Sequence, residues 1–231
     1  TIPDGAFELG GTYDGMVNKN EISDIFIAMS TLGVTGGEPP AAEDITIADL
    51  QELLANTDSF IVRSMLSEPI ISSVGEENIP EDAYESPGVL TQEELVALVD
   101  ALEDISGNSS TPVSEVGGML DELTVGQINE LDLGASGSLT IKQIVSDTIL
   151  EQLGLTEIPE DAYEPLAAQD NVVLLGMTLA DEEDPLRRLS DTELGHIIDA
   201  LNILADNNPD LLVTEIPTDP TVGKARALKT T

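Results

Sequence analysis

A seven-residue string, IPEDAYE, occurs twice in this chain of 231 residues. It ends two longer segments, residues 59–85 and 138–164, that align without a gap at an offset of 79 residues with 11 of 27 positions identical. Related strings precede both segments (ITIADLQEL at 45–53, LTVGQINEL at 123–131) and follow both (ELVALVDAL at 94–102, ELGHIIDAL at 193–201). Self-similarity at a fixed period predicts a tandem-repeat architecture.

The alignment also predicts the order of modules along the chain. A looser match, EISDIFIAM at 21–29, places the start of the first module near the N-terminal end. The insertion between the second and third modules carries its own apolar run and an acidic cluster at 181–184. We expect an N-terminal lead at 1–16, helical repeats at 17–88 and 89–165, an insertion at 166–188, a partial third repeat at 189–217 and a basic tail at 218–231.

Six places share one local pattern: an aliphatic residue, then Thr, Ser or Asn, two residues, an acid or amide, and another aliphatic residue. This is the capping box with its hydrophobic staple, which marks the start of a helix. The cap pairs are Asn18 and Glu21, Thr46 and Asp49, Thr91 and Glu94, Thr124 and Gln127, Thr140 and Gln143, and Ser190 and Glu193. In the first repeat Ile61 and Ser64 replace the fifth pair, so we expect that cap to be lost and Pro69 to kink the helix.

The spacing of apolar residues after these caps is helical, and the apolar residues are mostly aliphatic. Within the repeated string, proline biases the preceding isoleucine toward extended geometry. The sequence therefore predicts an all-α fold, a tandem repeat of about three short capped helices per unit joined by an extended IPEDAYE linker. We expect the linker residues to pack one unit on the next, with each tyrosine as the anchor. They are Ile79, Pro80 and Tyr84, with copies Ile158, Pro159 and Tyr163.

The charge of the chain limits its partners. Eight Lys and Arg stand against 45 Asp and Glu, a formal net charge of −37. Phosphate recognition needs basic patches, so nucleic acid and anionic membrane surfaces are disfavoured. The longest strongly apolar stretch, 172–180, is too short to span a bilayer, so we expect no membrane insertion. The expected partners are copies of the chain itself or neighbouring repeats of the same chain.

Calcium is the sharpest candidate ligand in the sequence. Residues 10–21 resemble an EF-hand loop, with Asp14 at position 5 and Glu21 at position 12, and residues 132–143 begin with Asp132 but end with Gln143. Neither loop holds enough carboxylates, and the staple, cap and third helical position of an exiting helix account for the resemblance. A looser Ca²⁺ or Mg²⁺ site would use the linker acids, which are Glu81, Asp82 and Glu85, or their copies Glu160, Asp161 and Glu164.

Parts for several enzyme chemistries are missing from the sequence. It has no cysteine, no glycine-rich phosphate loop and one histidine, His196, whose counterpart in the preceding repeat is Ala97. Repetition, acidity, the absence of thiols and a first residue other than Met favour a non-enzymatic structural or adhesive protein. We expect a segment of a large extracellular or cell-surface protein, or a subunit of a fibre or surface layer. The alternatives are a calcium-responsive EF-hand-like binding module and a soluble acidic protein of a halophile.

Overall fold

A computed structural model describes residues 19–32, 44–56, 59–153, 162–163 and 188–216 of the chain. These residues are mostly helical, which confirms the predicted class in its coarse form. A short antiparallel hairpin is an addition that the sequence did not predict. The elements are α1 Lys19–Thr31, α2 Ile47–Asn56, α3 Phe60–Val74, β1 Tyr84–Ser86, β2 Val89–Leu90, α4 Gln92–Ser106, α5 Val113–Leu120, α6 Val125–Glu130, α7 Leu139–Leu153 and α8 Asp191–Leu204.

The chain divides into two compact units. Unit 1 comprises Thr1–Asp121 together with Ser136–Ile141. Unit 2 comprises Glu122–Ala135 and Lys142–Thr231. The division therefore falls inside α7, whose first three residues belong to unit 1 and whose remainder belongs to unit 2.

Unit 1 is built around an aliphatic core between the five described helices α1 to α5. α2 packs on α4, α5 packs on α3 and α4, and α1 packs on α2 and α3. The α3–α5 approach is close enough that a Cβ added at Gly117 would lie 1.9 Å from the Ser73 carbonyl oxygen. Residues spaced by three or four positions along α2 and α4 supply the fully buried side chains, as the apolar periodicity predicted. They are Ile47, Leu50 and Leu53 on α2 and Leu95, Leu98 and Leu102 on α4.

The first copy of the repeated string lies inside unit 1, between α3 and the hairpin. α3 ends at Gly75, whose φ of +87° favours glycine. Ile79 and Pro80 are extended, as predicted, but residues Glu81–Ala83 then form one 3₁₀ turn before β1. The turn closes because the Ala83 amide donates to the Pro80 carbonyl oxygen at 3.0 Å. The linker is therefore extended at its two ends and helical in its middle.

Unit 2 contains α6, α8, most of α7 and a 3₁₀ turn at Val213–Glu215, and α6 packs on α8. The N-terminal half of α7 is buried on every side, since residues 140–146 are all buried, whereas Asp147 and Glu151 further along the helix are exposed. The buried residues of its segment include the polar side chains of Ser138, Thr140, Lys142, Gln143 and Ser146.

The predicted helix starts have mixed outcomes. The boxes of Thr46 with Asp49 and of Thr124 with Gln127 are closed, with hydrogen bonds in both directions. The prediction for Thr140 is wrong, because α7 begins at Leu139 and the Ile141 amide donates to Ser138 Oγ at 3.2 Å. The expected loss of the matching cap in the first repeat is also wrong, since Ser59 caps α3. α3 continues past Pro69 to Val74, and the side chains of Asn18 and Glu21 lie outside the described residues.

Candidate functional site

The most unusual polar group of the described structure is the Glu94 carboxylate in the first turn of α4. This residue is only 3% exposed. Its two oxygens accept three hydrogen bonds from the start of α7: from Ser138 Oγ at 2.7 Å, from the Leu139 amide at 2.8 Å and from the Thr140 amide at 3.0 Å. Amides at the start of a helix have no partner within the helix, and the helix dipole favours a negative charge there. Glu94 thus caps a helix that begins 45 residues after it.

Glu94 is available for this contact because its own capping box is half open. The Glu94 amide donates to Thr91 Oγ1 at 3.1 Å, as the sequence predicted. In a closed box the carboxylate would accept from the Thr91 amide. That amide instead donates to the carbonyl oxygen of Ala83, in the repeated string, at 2.9 Å. The Ala83 carbonyl oxygen of the string therefore accepts the hydrogen bond that the Glu94 carboxylate would accept in a closed box. The carboxylate binds the start of α7 instead.

Unit 1 and unit 2 contain the same set of backbone hydrogen bonds between a helix start and a distant loop. In each unit three backbone amides donate to three backbone carbonyl oxygens, and the residues involved occupy corresponding positions in the two units. The bonds of unit 1 run from Val113 to Ile45, from Ile47 to Thr111 and from Ala48 to Ser109, and those of unit 2 run from Val213 to Leu123, from Val125 to Leu211 and from Gly126 to Pro209. The six N···O distances lie between 2.7 and 3.1 Å. Offsets of 78 and 100 residues relate the two sets.

A second group of matched contacts surrounds the repeated string. Ser67 Oγ accepts from the Leu90 amide at 3.0 Å, and Ser146 Oγ accepts from the Leu189 amide at 3.3 Å. Each serine hydroxyl also donates to the carbonyl oxygen four residues earlier. The Ser190 amide donates to the Ala162 carbonyl oxygen at 2.9 Å, the counterpart of the bond between Thr91 and Ala83.

Side-chain pairs between neighbouring helices match as well. Gln51 on α2 donates to Glu103 on α4 at 2.6 Å. At the corresponding positions of unit 2, Asn129 on α6 and Asn202 on α8 exchange two amide hydrogen bonds of 2.9 Å. The chemical types differ while the geometry is kept.

The residues predicted to pack the linker are mostly buried where they are described. Ile79, Pro80 and Ala83 are buried, and Tyr84 is half-buried at the start of β1. Partial burial, with a smaller contribution from the nearby Glu76 carboxylate, raises the pKa of the Tyr84 hydroxyl above its ordinary value. Tyr163 is half-buried and pairs with Leu189, while Ile158 and Pro159 lie outside the described residues. Packing of one unit on the next through these residues stays a prediction.

The acidic residues proposed for calcium are only partly described. Glu85 pairs with Arg63 at 2.5 Å, and Glu81 and Asp82 are exposed on the 3₁₀ turn. Asp132 is exposed and its Oδ1 accepts from the Gly134 amide at 3.0 Å. Within the described ranges no group of three or more His, Asp or Glu side chains is placed to hold a metal ion. Asp14, Glu160, Asp161, Glu164 and the Glu21 side chain fall outside those ranges, so calcium binding stays a prediction.

His196 lies on α8 and is exposed. The predicted insertion at 166–188 lies outside the described residues except for Arg188.

The alignment of the two segments carries a sequence signal for the serine contacts. Outside the string itself, four positions of the two aligned segments are identical. Ser59 and Ser138 cap helices, Ser67 and Ser146 each accept from the backbone amide of a buried leucine after the string, and Ile70 and Ile149 are fully buried. The fourth is Gly75, at its left-handed position, with Gly154 as its copy. Positions that are identical in the two segments therefore indicate residues that make structural contacts. No feature of the sequence indicated that Glu94 caps α7.

No protein-family model, curated protein or solved structure matches this chain. Among the described residues, no helix is both long and apolar enough to cross a membrane.

Proposed function

We propose that this chain is a tandem-repeat protein with a structural or adhesive role and no enzymatic activity, part of an extracellular or cell-surface assembly. In this proposal each repeat contributes helices that are capped and fastened by the next. Repeat proteins stabilise themselves through contacts between neighbouring repeats, which suits the building of length.

The observation that carries the proposal is the doubled set of hydrogen bonds. Two stretches of chain with different side chains at most positions make the same bonds at corresponding atoms. A catalytic site needs a few side chains in one place, and duplicated scaffolding does not supply it. The doubled bonds are backbone contacts between a helix start and a loop, which are the contacts that fix the shape of a repeat.

Glu94 supports the same interpretation. Its carboxylate is buried and fully engaged by a helix start, so its role is in holding helices rather than in transferring protons. The net charge of −37 and the absence of cysteine support a place outside the cell, where an acidic surface is kept soluble and is screened by abundant cations.

The location is tested with antibodies raised against the 231-residue chain. Intact source cells should be labelled in immunogold microscopy, and brief protease treatment of those cells should remove the label. Antibodies against a cytosolic marker, which should label only permeabilised cells, serve as the control. Labelling that requires permeabilisation, together with recovery of the protein in the cytosolic fraction, would contradict the proposed location.

A further inference from the structure

Helix α1 carries an apolar side that the described structure leaves uncovered. Ile22, Phe26 and Met29 are 45%, 67% and 36% exposed. Positions separated by four and seven residues lie on one side of a helix, so the three side chains form one surface. We call this surface the α1 outer face. A contiguous exposed apolar patch typically marks an interaction site.

Corresponding positions on the two related helices belong to the core. In the alignment of 21–29 with 94–102, the outer face corresponds to Leu95, Val99 and Leu102 of α4. Those three residues are at most 1% exposed. On α8 Leu194 and Leu201 are buried, and the middle position, Ile198, is half-buried. The outer face therefore corresponds to a helix surface that is covered by another helix in α4 and α8, and in α1 no described helix covers it.

The covering element is visible in α4 and α8. Glu103, which follows Leu102, accepts a hydrogen bond from Gln51 of α2, so this side of α4 faces α2. The matched bonds between Asn129 and Asn202 place α6 on the same side of α8. In both units the covering helix comes earlier in the chain than the helix that it covers.

The opposite side of α1 is already occupied. Ala28 is buried, and α1 packs on α2 and α3, which follow it in the chain. α2 itself also packs on α4. The α2 helix of this chain thus packs on α4 and on the opposite side of α1, and it does not cover the outer face.

We propose that the α1 outer face docks a helix of the α2 type from a further repeat of this kind, placed ahead of α1 as α2 is placed ahead of α4. The partner helix is short, capped and polar outside, and it presents an aliphatic stripe like that of Ile47, Leu50 and Leu53. This inference rests on the proposed repeat function and adds the surface and the chemistry of its partner.

The test compares the full chain with an extended chain. The extension is a copy of residues 44–87 inserted immediately before Gly15, which matches Gly88 in the alignment. Phe26→Asp is introduced into both chains, and thermal unfolding is followed by circular dichroism. The substitution should change the Tm of the original chain by less than about 2 °C and lower that of the extended chain by about 6 °C or more, because it buries a charge only there. Val96→Asp is the matched control, because Val96 is exposed and lies on a different helix, α4. This substitution should leave the Tm of both chains unchanged.

Equal effects of Phe26→Asp in the two chains would overturn the inference. Sedimentation of the original chain provides the second check. A dimer that Phe26→Asp dissociates would assign the outer face to a second copy, and would also overturn the proposal. Neither measurement depends on where the protein resides in the cell, so the docking surface and the proposed location can fail separately.

Discussion

Glu94 and Glu193 occupy the same position in two closely similar stretches, ELVALVDAL and ELGHIIDAL, and their surroundings differ. Both helices begin with a hydroxyl cap, and both cap amides donate to an alanine of the repeated string. Glu94 is buried and binds the start of α7, whereas Glu193 is half-exposed. The local sequence therefore sets the helix and its cap, and a distant segment decides whether the carboxylate becomes part of the core.

The segments that follow the two helices show the same contrast. In unit 1 the loop leads into α5, which lies against α3 where Gly117 meets Ser73. Ser73 Oγ donates to the Val113 carbonyl oxygen at 2.6 Å and accepts from the Gly117 amide at 3.1 Å. In unit 2 the position of Ser73 is held by Gln152, which donates to the Ile216 carbonyl oxygen at 2.8 Å. A small hydroxyl permits a closer helix approach than a long amide does.

The largest effect should separate the two glutamates. Glu94→Ala removes the acceptor of three donors at a buried helix start and should lower the free energy of unfolding by about 3 kcal/mol. Glu193→Ala removes a half-exposed carboxylate and should change it by less than about 0.5 kcal/mol. Urea denaturation followed by circular dichroism measures both. Equal losses for the two variants would show that the comparison between the sites is mistaken.

Close helix packing in unit 1 is tested at two adjacent glycines of α5. Gly117→Ala places a methyl group against the Ser73 carbonyl oxygen and should lower the free energy of unfolding by about 2 kcal/mol. Gly118→Ala meets no atom within 4 Å and should raise it by about 0.5 kcal/mol, because alanine is the better helix former. The two variants are compared in the same urea titration. If Gly117→Ala is as well tolerated as Gly118→Ala, α5 does not lie on α3 as described.

Ser67 in α3 and Ser146 in α7 should contribute equally to the free energy of unfolding. Ser67→Ala and Ser146→Ala each leave a buried backbone amide, of Leu90 or Leu189, without its acceptor. Each should cost about 1 kcal/mol, and the two losses should agree within about 0.5 kcal/mol. Ser106→Ala, which removes a half-exposed hydroxyl at the end of α4, serves as a weaker control. A loss confined to one of the two buried serines would mean that the matched bonds are unequal in strength.

The sequence predicted the helical class and most helix starts because these depend on local chemistry. The boxes of Thr46 and Thr124 close within three residues, and nothing distant changes them. The start of α7 was placed two residues too late because Thr140 has the better local pattern. The distant Glu94 carboxylate satisfies the Leu139 and Thr140 amides, so Ser138 becomes the cap.

Repeat boundaries in a sequence and the boundaries of compact units need not coincide, because a periodic sequence can be divided at any phase of its period. The alignment predicts a repeat boundary after residue 88, and that boundary stays a prediction. By compactness the chain divides after Asp121, because the string and the hairpin bind α3 and α4 into unit 1. The first copy of the string lies within unit 1, where Ile79 is buried and the Ala83 carbonyl oxygen accepts from the Thr91 amide. Packing of one repeat on the next through the string stays a prediction.

The smallest expected effect concerns Asp147 on α7, which is exposed, as is its counterpart Glu68 on α3. Partial burial of its carboxyl group raises the pKa of Asp147 above the ordinary 3.8, and a hydrogen bond from Gln143 opposes that rise. A raised pKa means that the folded chain binds the proton more tightly, so this group favours folding at low pH and that contribution is lost as the pH rises through the raised pKa. Asp147→Asn should remove this dependence, leaving a small gain in stability at neutral pH relative to the original chain and none at pH values below 3.8. Urea midpoints at a series of pH values measure the difference, with Glu68→Gln as the matched control on α3. A difference that is constant across the series would show that the Asp147 carboxyl titrates alike in the folded and unfolded chain.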